Sequence, residues 1–426
     1  MNAIVYLTFN GVYNCTNGIC TQTKTVLTSI KEHYKQYSSI FGQFHFHIIC
    51  PKRPKNISAN EHLTLAYEVT NNTGGTITEI DYEYDKFWSL ESWTNLSWKA
   101  SKEIIDLSIR YESIFAICVD APFLHTPLNI ESNLKGRSNI ISLIALYSSS
   151  YIHDKHQLDL KRLSWEYIGI ASARLHDNIF LGNISNSMTN HLISHYGADK
   201  TKFIPFASSI NIEHNDFIPI SSDTLREILL KYKIPQDKDI ILSFGRADWI
   251  KGFDILLTQL NLIKSDCHLV LIVVPYDTLG ETEIIDTYKK IIQQNKVECS
   301  LFVGFNRELP IALCQFEKTK AVVIPSRGEP FSNIPFEVSL WAKENGPVCL
   351  ASNLDSFMEQ IDHESNGFIF DLNSSTDLSS KLESILKLVP QKSVQIRRKA
   401  YSKVIEERDF VRNFSITLDC VKNKLK

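Results

Sequence analysis

Short apolar runs alternate with amphipathic stretches along almost the whole chain. The amino-terminal half contains runs with the length of buried strands, at residues 4–9, 44–50, 114–119 and 140–146. Residues 22–37 have helical periodicity, and residues 191–196 look like the end of another helix before Gly197. Because strands and helices alternate, this half predicts a parallel sheet covered by helices on both faces.

The carboxyl-terminal half repeats the pattern more regularly. Its predicted strands are residues 240–244, 269–274, 301–305, 321–325 and 348–351. Its predicted helices between those strands are residues 253–263, 281–294 and 309–318. The final stretch, residues 377–426, is charged and has a helical pattern. This half therefore predicts a second parallel sheet with helices on both faces.

A chain of 426 residues is too long to pack around a single core. We predict an α/β protein with two Rossmann-like doubly wound domains and a cleft between them. Mixed polarity at residues 208–219 is typical of a linker. The first domain is predicted at residues 1–213 and the second at residues 214–405. Residues 406–426 are predicted to form a terminal helix able to pack back on the first domain.

Composition indicates an ordinary globular enzyme, with 43% hydrophobic and 22% charged residues. A formal net charge of -3 gives no overall attraction to nucleic acid, and membrane association is not indicated. The nine scattered cysteines include Cys118, Cys267 and Cys349 inside predicted strands, which favours buried thiols over disulfides. No basic leader precedes the first strand, and no apolar run reaches the ~18 residues of a membrane span, so we expect a cytoplasmic protein.

Two glutamates, Glu329 and Glu337, flank a predicted loop and helix start. The loop follows the strand at residues 321–325, Pro335 suits the first helical turn, and Gly346 is predicted to end the helix. Both carboxylates are therefore expected beside the crevice at the carboxyl ends of the strands, where doubly wound sheets bind nucleotides.

Two cations occupy the corresponding place after another strand. Arg246 follows the strand at residues 240–244, and Lys251 precedes a predicted helix whose first amides favour anions. Arginine and lysine add charge-assisted hydrogen bonds to phosphate oxygens. Either pair alone is also explained by ordinary surface charges. The position of both pairs at strand-to-helix crossings of one domain favours a phosphate and sugar site.

These residues carry a resemblance to a known family. The runs FGRADWIKGFD from Phe244 and PSRGEPFSNIPFE from Pro325 resemble glycosyltransferase family 4. Weaker similarity includes residues 17–22, which resemble the family's amino-terminal glycine loop, and residues 195–197 and 203–205 before the linker. The resemblance implies a GT-B fold of two Rossmann-like domains, a nucleotide-sugar donor and retention of anomeric configuration.

The resemblance also implies roles for individual residues. Arg246 and Lys251 would hold the donor diphosphate, Glu329 would contact the sugar hydroxyls, and Glu337 would bind the ribose. Backbone amides would lie against the sugar and phosphate at Phe331, Ser332, Asn333 and Ile334. Gly18, at the start of the first helix, would bring amides of the other domain to the same diphosphate.

The implied reaction needs no metal and no cofactor beyond the nucleotide-sugar itself. Two cations and the backbone amides would absorb the charge of the leaving diphosphate. The triplet at residues 237–239 matches the Asp-x-Asp pattern of metal-dependent transferases, but it precedes a strand and is interpreted as a solvated turn. A metal cluster at residues 153–156 is disfavoured because further ligands at suitable spacing are lacking.

Three departures from the family pattern concern contacts to the donor. Ser332 stands where the family usually has glycine, so the backbone there could approach a ligand differently. Residues 355–359 stand where the family often has paired glycines before an acid. The family often carries a histidine after a central strand, whereas here Tyr147 follows the strand and a histidine comes only at His153. His153 is a catalytic candidate, with a plain loop histidine as the alternative.

The acceptor side offers weaker candidates. Asp120 ends a predicted strand and would either orient an acceptor hydroxyl or cap the next turn. The aromatic segment at residues 82–98, which contains Trp88, Trp93 and Trp98, would stack on an acceptor or pack on the first domain. Arg162 and Glu166 have i,i+4 helical spacing and are interpreted as a surface ion pair.

The sequence thus favours a retaining, metal-independent glycosyltransferase, hexosyltransferase-like, acting in carbohydrate biosynthesis. It would move a sugar from a nucleotide-sugar to a hydroxyl of a carbohydrate or small-molecule acceptor. A nucleotide-sugar epimerase, a sugar phosphorylase and a catalytically silent nucleotide-sugar-binding regulator stay open as alternatives. The base, the sugar and the acceptor are not assigned by the sequence.

Overall fold

The computed structural model describes residues 1–13, 18–52, 61–82, 89–134, 139–154, 158–275 and 279–425, with the side chains of residues 279–282 left aside. The chain divides into two compact units. Unit 1 comprises Met1–Asn211 and Arg408–Lys426, and unit 2 comprises Ile212–Glu407.

Each unit is built on a parallel sheet. Within the described ranges, unit 1 has seven strands: β1 (Asn2–Leu7), β2 (Phe44–Pro51), β3 (Ile77–Ile80), β4 (Ile114–Val119), β5 (Ile140–Ala145), β6 (Ile179–Asn183) and β7 (Phe203–Pro205). Over the same described ranges unit 2 has six: β8 (Asp239–Arg246), β9 (Cys267–Val274), β10 (Cys299–Val303), β11 (Thr319–Ile324), β12 (Val348–Ser352) and β13 (Phe368–Phe370).

Helices connect successive strands. Those of the first half are α1 (Gly18–Phe41), α2 (Glu61–Thr73), α3 (Leu90–Ser108), α4 (Thr126–Leu134), α5 (Ser150–His153), α6 (Leu160–Leu175) and α7 (Asn186–Tyr196). Those of unit 2 are α8 (Ser222–Lys231), α9 (Phe253–Gln259), α10 (Leu279–Gln294), α11 (Glu308–Gln315), α12 (Ile334–Trp341), α13 (Asp355–Gln360), α14 (Asp377–Leu386) and α15 (Pro390–Glu407). The last helix, α16 (Phe410–Lys424), belongs to unit 1.

The strand order places a topological switch point in each sheet. Unit 1 has the order β3-β2-β1-β4-β5-β6-β7, and unit 2 has the order β10-β9-β8-β11-β12-β13. The chain therefore reverses its direction of winding between β1 and β4, and again between β8 and β11. In open parallel sheets such a reversal leaves a crevice at the carboxyl ends of the two strands, where ligands bind.

Alternating side chains explain why the central strands are apolar throughout. Ile4 and Tyr6 of β1 belong to the core on one face of the sheet, whereas Ala3, Val5 and Leu7 belong to the core on the other. Successive strand residues point to opposite faces, and helices cover both. The polar residues that follow these strands are thus confined to the loops at the strand ends.

The terminal helix α16 packs on α1 and β7. The rings of Tyr37 and Phe414 meet edge to face with centroids 5.2 Å apart. The Thr417 hydroxyl donates to the Pro205 carbonyl at 2.7 Å, and the Phe410 amide donates to the Ile210 carbonyl at 3.0 Å. Because of these contacts, the end of the chain belongs to unit 1.

The predicted fold class is confirmed, and every predicted strand is present. The strands β3, β6, β7 and β13 were not predicted. The predicted end of α12 was wrong, because the helix stops at Trp341 rather than near Gly346. Only glycine fits at position 346, because its φ is +112° and a Cβ there would lie 2.0 Å from the Cys314 carbonyl oxygen.

The cysteines that the structure describes carry free thiols. Cys118 is completely buried and Cys349 nearly so, and burial raises the pKa of the Cys349 thiol to about 12. Across the described ranges, no helix combines the length and apolar character needed to cross a membrane.

Candidate functional site

The connection from β8 to α9 delivers the two predicted cations. Arg246 is the last residue of β8, and a single 3-10 turn, Trp249–Lys251, brings the chain to α9. The Asp248 carboxylate caps this turn by accepting from the Ile250 amide at 3.1 Å. This cap fixes the path of the backbone on either side of Lys251.

Gly252 lets this connection touch the loop that follows β11. The residue has a φ of +66°, and a Cβ there would lie 2.0 Å from the carbonyl oxygen of Pro325. Only glycine fits both the left-handed backbone and the close approach. The two switch-point loops therefore lie in direct backbone contact.

Lys251 and Glu329 meet across these loops. The Lys251 ammonium lies 2.5 Å from Glu329 Oε2, and the two side chains are only 16% and 11% exposed. Residues 78 positions apart in the chain thus form an ion pair at the switch point of the sheet. The two crossings that carry the predicted cations and carboxylates are therefore adjacent in unit 2.

Arg246 completes the cationic side of the site. One guanidinium nitrogen lies 3.4 Å from Asp248 Oδ2, so its charge is partly balanced by a neighbour in the same loop. Arg246 and Lys251 are both partly accessible, at 23% and 16% of their side-chain surface. Two cations at the carboxyl end of one strand are suited to binding a diphosphate.

Arg327 ties the two loops together and was missed by sequence reasoning. Its guanidinium forms a two-pronged bond with the Asp254 carboxylate, at 2.7 and 2.6 Å, and lies 3.6 Å from the centre of the Trp249 ring. It also donates to the Trp249 carbonyl at 2.9 Å, and its own amide donates to the Ile250 carbonyl at 2.7 Å. A planar guanidinium can make these contacts together, which lysine cannot.

The turn between β11 and α12 contains the residues whose amides are predicted to contact the donor. Ser332 is nearly buried, and its hydroxyl oxygen accepts from the Ile334 amide at 3.3 Å. Phe331 packs on Phe336 with ring centroids 5.5 Å apart, and Asn333 is the residue that precedes the helix. The serine that replaces the usual glycine therefore supports the start of α12.

Glu337 lies in the first turn of α12 and is 7% exposed. Its Oε1 is 3.5 Å from a guanidinium nitrogen of Arg307, and Arg307 also donates to Asp216 Oδ2 at 2.8 and 2.6 Å. Burial raises the pKa of the Glu337 carboxyl, and the Arg307 charge acts against this rise. Arg307 and Asp216 were not predicted as members of the site.

The switch point of unit 1 carries a compact polar loop after β1. The hydroxyls of Thr8 and Thr23 both donate to the Asn10 carbonyl, at 2.6 and 3.0 Å. Gly11 has a φ of +98°, and a Cβ there would lie 2.5 Å from the Thr23 Cβ. Gly18 begins α1, while the preceding residues 14–17 lie outside the described ranges, so its role at the diphosphate stays a prediction.

Asp120 follows β4 on the other side of this switch point. Its backbone has φ 64° and ψ 179°, a combination adopted almost only by glycine. Its Oδ1 accepts from the Tyr147 amide at 3.1 Å and from the Ser148 hydroxyl at 2.8 Å. Burial raises the pKa of the Asp120 carboxyl, while the Ser148 hydroxyl and the Arg162 charge lower it.

His153 ends the short helix α5, near the same strand ends. Its Nδ1 lies 3.1 Å from the Ser149 carbonyl oxygen and 3.3 Å from the Ser149 amide nitrogen. The neighbouring residues 155–157 lie outside the described ranges. Both Asp120 and His153 thus contact the segment after β5, and their catalytic roles stay predictions.

Arg162 and Glu166 are not a surface pair, so that interpretation was wrong. Glu166 is completely buried and the Arg162 side chain is 12% exposed. The Glu166 carboxylate accepts from Arg162 Nε at 3.1 Å, from the Ser150 amide at 3.0 Å, and from the Tyr196 hydroxyl. The i,i+4 spacing was recognised, but spacing does not reveal which face of a helix is buried.

Two tryptophans of the aromatic segment and the Asp-x-Asp triplet lie within the described ranges. Trp93 is buried and its ring lies 6.2 Å from Trp165, whereas Trp98 is 38% exposed. Trp88 lies outside the described ranges. Lys238, in the triplet, is paired with Glu298 at 2.5 Å, at the amino end of β8. Among the residues that the structure describes, no group of three or more His, Cys, Asp or Glu could hold a metal ion.

Residues 226–403 match the family model described as "Glycosyl transferases group 1". The matched segment contains both crossings that carry the cations and the carboxylates. No curated protein sequence matches the chain.

The fold is shared with solved structures over 99–100% of the chain. Sucrose-phosphate synthase from Thermosynechococcus elongatus is 13% identical, with a TM-score of 0.73 over 100% of this chain and 99% of that one. A glycosyltransferase from Rickettsia africae ESF-5 is 16% identical, with a TM-score of 0.72 and coverage of 100% and 98%. HepE from Anabaena, solved with UDP-glucose, is 13% identical, with a TM-score of 0.69 and coverage of 99% and 98%.

Proposed function

We propose that this protein is a retaining glycosyltransferase that moves a sugar from a nucleotide-sugar to an acceptor hydroxyl without requiring a metal ion. One observation carries the proposal. Arg246, Lys251 and Glu329 gather at the switch point of a unit that matches group 1 glycosyl transferases. This is the edge of a doubly wound sheet at which nucleotides bind.

The donor would lie along the two crossings of unit 2. Arg246 and Lys251 would take the diphosphate, since both cations sit at the carboxyl end of β8. Glu329 would bind sugar hydroxyls, and Glu337, held beside Arg307, would bind the ribose hydroxyls. The amides at the start of α12, from Phe331 to Ile334, would complete the donor contacts.

The proposed transfer step is the one that the family resemblance implies. The bond between the anomeric carbon and the leaving phosphate oxygen breaks, and the acceptor oxygen bonds to the same face of that carbon. The acceptor proton passes to an oxygen of the leaving phosphate. The negative charge that develops on the diphosphate is stabilised by Arg246 and Lys251, which lie in the site before the reaction begins. Two fixed cations can supply the charge that a metal ion provides in other transferases.

Unit 1 would supply the acceptor side in this proposal. Asp120 would orient the acceptor hydroxyl, with His153 as a second candidate and Gly18 contributing an amide to the donor diphosphate. The structures of HepE from Anabaena and of an Escherichia coli protein were solved with UDP-glucose and UDP-2-fluoro glucose. UDP-glucose is therefore the first donor to test, followed by GDP- and ADP-sugars. Action in the cytoplasm is part of the same proposal.

The test compares variants of the two cations with a matched control. Replacing Arg246 or Lys251 by Met should lower kcat about 100-fold or more, because the leaving diphosphate loses a preorganised cation. Lys238→Met removes an ion pair of the same 2.5 Å length at the opposite end of β8 and should leave kcat unchanged. Nucleoside diphosphate release and product anomer are measured with and without EDTA. Full activity of the Arg246 and Lys251 variants would refute the assigned roles.

The alternative reactions give different products in the same assay. Epimerisation without an acceptor, sugar phosphate formation from inorganic phosphate, or donor binding without turnover would each replace transfer as the function. A product of inverted anomeric configuration would still support glycosyl transfer, but it would overturn the proposed retention of configuration. Activity lost on chelation and restored by a divalent cation would overturn metal independence.

A further inference from the structure

A buried polar network lies behind Asp120 in unit 1. It begins with the strained backbone of Asp120 itself, at φ 64° and ψ 179°. Such a conformation costs a non-glycine residue roughly 1–3 kcal/mol and persists only where the surrounding structure enforces it. Strain of this kind is concentrated at functional sites, and here it falls at the carboxyl end of β4 beside a topological switch point.

Ser148 connects Asp120 to Arg162. The Ser148 hydroxyl donates to Asp120 Oδ1 at 2.8 Å, and its oxygen lies 3.4 Å from Arg162 Nη2. The guanidinium therefore holds the hydroxyl oxygen while the hydroxyl proton points to the carboxylate. The Tyr147 amide binds the same oxygen of Asp120. The Tyr147 amide and the Ser148 hydroxyl thus fix the orientation of the Asp120 carboxylate, and Arg162 in turn holds the Ser148 hydroxyl.

Glu166 fixes Arg162 in turn. Its buried carboxylate accepts from Arg162 Nε at 3.1 Å, while the Ser150 amide donates to both of its oxygens, at 3.1 and 3.0 Å. Asp154 lies 3.2 Å from Arg162 Nη1 on the other side. The guanidinium is thereby held from several directions in one position behind Ser148.

A purely structural ion pair explains this arrangement less well. Burying a charged pair loses hydration that its attraction repays only in part, and well-packed apolar residues often give equal or greater stability. The network adds the backbone strain at Asp120 to that loss. Both features converge on the one carboxylate that follows β4, which is where doubly wound sheets place ligand contacts.

We propose that Arg162 and Glu166 are positioning residues for Asp120, and that the network holds the Asp120 carboxyl aimed at a hydroxyl of the acceptor. The acceptor is therefore of the polyol or sugar class, bound through a hydroxyl that donates to a carboxylate. The proposal rests on the proposed glycosyl transfer for its substrate, and on the geometry of unit 1 for the positioning itself.

The charges around Asp120 set the expected pH dependence. Several titratable or charged groups of the described residues lie near Asp120, either directly or through Tyr147, Ser148, Ser149 and Arg162. They are Arg162, Tyr147, Tyr6, Asp154, Glu166, His153, His191 and Tyr196. Burial keeps the Tyr147 and Tyr6 phenols neutral, since it raises their pKa values. Arg162 is the nearby cation that lowers the pKa of Asp120, so its removal must raise that pKa and move the acidic limb of activity to higher pH.

The first measurement needs no turnover. Protein labelled with 13C at the aspartate side-chain carboxyl is titrated, and the Asp120 resonance is assigned by its absence from Asp120→Asn. In Arg162→Gln this resonance should titrate at higher pH than in the wild type, and Arg162→Lys should restore part of the difference. Arg174→Gln, an exposed arginine on the same helix, serves as the control and should titrate like the wild type.

The second measurement is kinetic. Arg162→Gln should lower kcat at neutral pH by about 100-fold, as expected when a reacting group is misplaced, and its acidic limb should move to higher pH. Affinity for UDP, measured by calorimetry, should not change. Glu166→Gln keeps the shape of the side chain and should also lower kcat, because Arg162 loses a partner that fixes its position. It provides a second variant if Arg162→Gln does not fold.

The outcomes separate the two proposals. An Asp120 titration that is unchanged in Arg162→Gln and Glu166→Gln overturns the positioning role, whether or not any sugar is transferred. A shifted titration in a protein that binds no nucleoside diphosphate supports the positioning role and overturns the proposed function. Kinetic losses as large in Arg174→Gln as in Arg162→Gln would also overturn the positioning role.

Discussion

Gly252→Ala tests whether the donor site depends on the close approach of its two loops. Gly252 and Gly197 both lie in the left-handed region, with φ values of 66° and 64°. They differ in surroundings, because a Cβ on Gly252 would lie 2.0 Å from the Pro325 carbonyl oxygen, whereas a Cβ on Gly197 would have nothing within 4 Å. Gly197→Ala is therefore a matched control for the backbone conformation alone.

The expected magnitudes follow from these distances. The left-handed conformation costs alanine about 1–2 kcal/mol, which is the whole effect expected for Gly197→Ala. In Gly252→Ala the Cβ must also move from 2.0 Å to at least 3.0 Å, a displacement of 1.0 Å between the two loops. Overpacking of this kind adds roughly 1–3 kcal/mol. A displacement of this size beside Lys251 would also break its 2.5 Å contact with Glu329.

Scanning calorimetry and UDP binding measure the two effects separately. For a unit of this size, 1 kcal/mol lowers the unfolding temperature by roughly 2–4 °C. We expect unit 1 to lose about 2–8 °C in Gly197→Ala, and unit 2 to lose clearly more in Gly252→Ala. UDP affinity should fall on the order of tenfold or more in Gly252→Ala alone, equivalent to about 1.4 kcal/mol.

Equal destabilisation by the two substitutions would refute the reasoning about close approach. Retention of wild-type UDP affinity by a folded Gly252→Ala protein would refute the link between loop spacing and the cations. Either result would show that the loop after β8 can move away from Pro325 without disturbing Lys251.

Two further predictions concern an ion pair and a histidine. Arg327→Lys should raise the donor KM about tenfold with a smaller change in kcat, because lysine cannot keep both bonds to Asp254 and the stack on Trp249. An unchanged donor KM in Arg327→Lys would contradict this prediction. Burial, together with the charges of His45 and Arg110, lowers the pKa of His47 to about 4, so its contribution to stability is present above pH 6.5 and is lost as the pH falls towards 4. At pH 5 the loss of stability is about 2 kcal/mol. The free energy of unfolding of unit 1, measured with urea, should therefore depend less on pH in His47→Gln than in the wild type. An unchanged pH dependence would contradict the prediction.

The sequence predicted the central strands because buried parallel strands are apolar on both faces. Three of the four strands that it missed, β3, β7 and β13, are short or mixed in polarity. β7 and β13 have three residues each, and β3 carries Thr78 and Glu79 within four. Such segments are too short for periodicity to detect, and their place in the sheet comes from pairing with a neighbour already in position.

The candidate donor-side residues could be picked out because each lies in, or at the end of, a predicted strand-to-helix connection. Arg307 gave the same signal, since it comes soon after the end of β10, but its value lies in contacts with Asp216 and Glu337 that no spacing reveals. Arg327 lay inside the recognised motif and looked like an ordinary loop charge. Its partner Asp254 is 73 positions away, so only the fold brings the two together.

The two switch points differ in which residue adopts a backbone conformation that favours glycine. In unit 2, Gly252 adopts a left-handed backbone without strain, and this lets two loops approach until Lys251 meets Glu329. In unit 1, Asp120 holds a conformation that glycine would adopt freely, at a cost of roughly 1–3 kcal/mol. Unit 2 therefore keeps a glycine where the backbones of two loops must come close to each other. Unit 1 keeps a side chain in spite of its strain, which implies that the carboxylate of Asp120 itself is what the site needs.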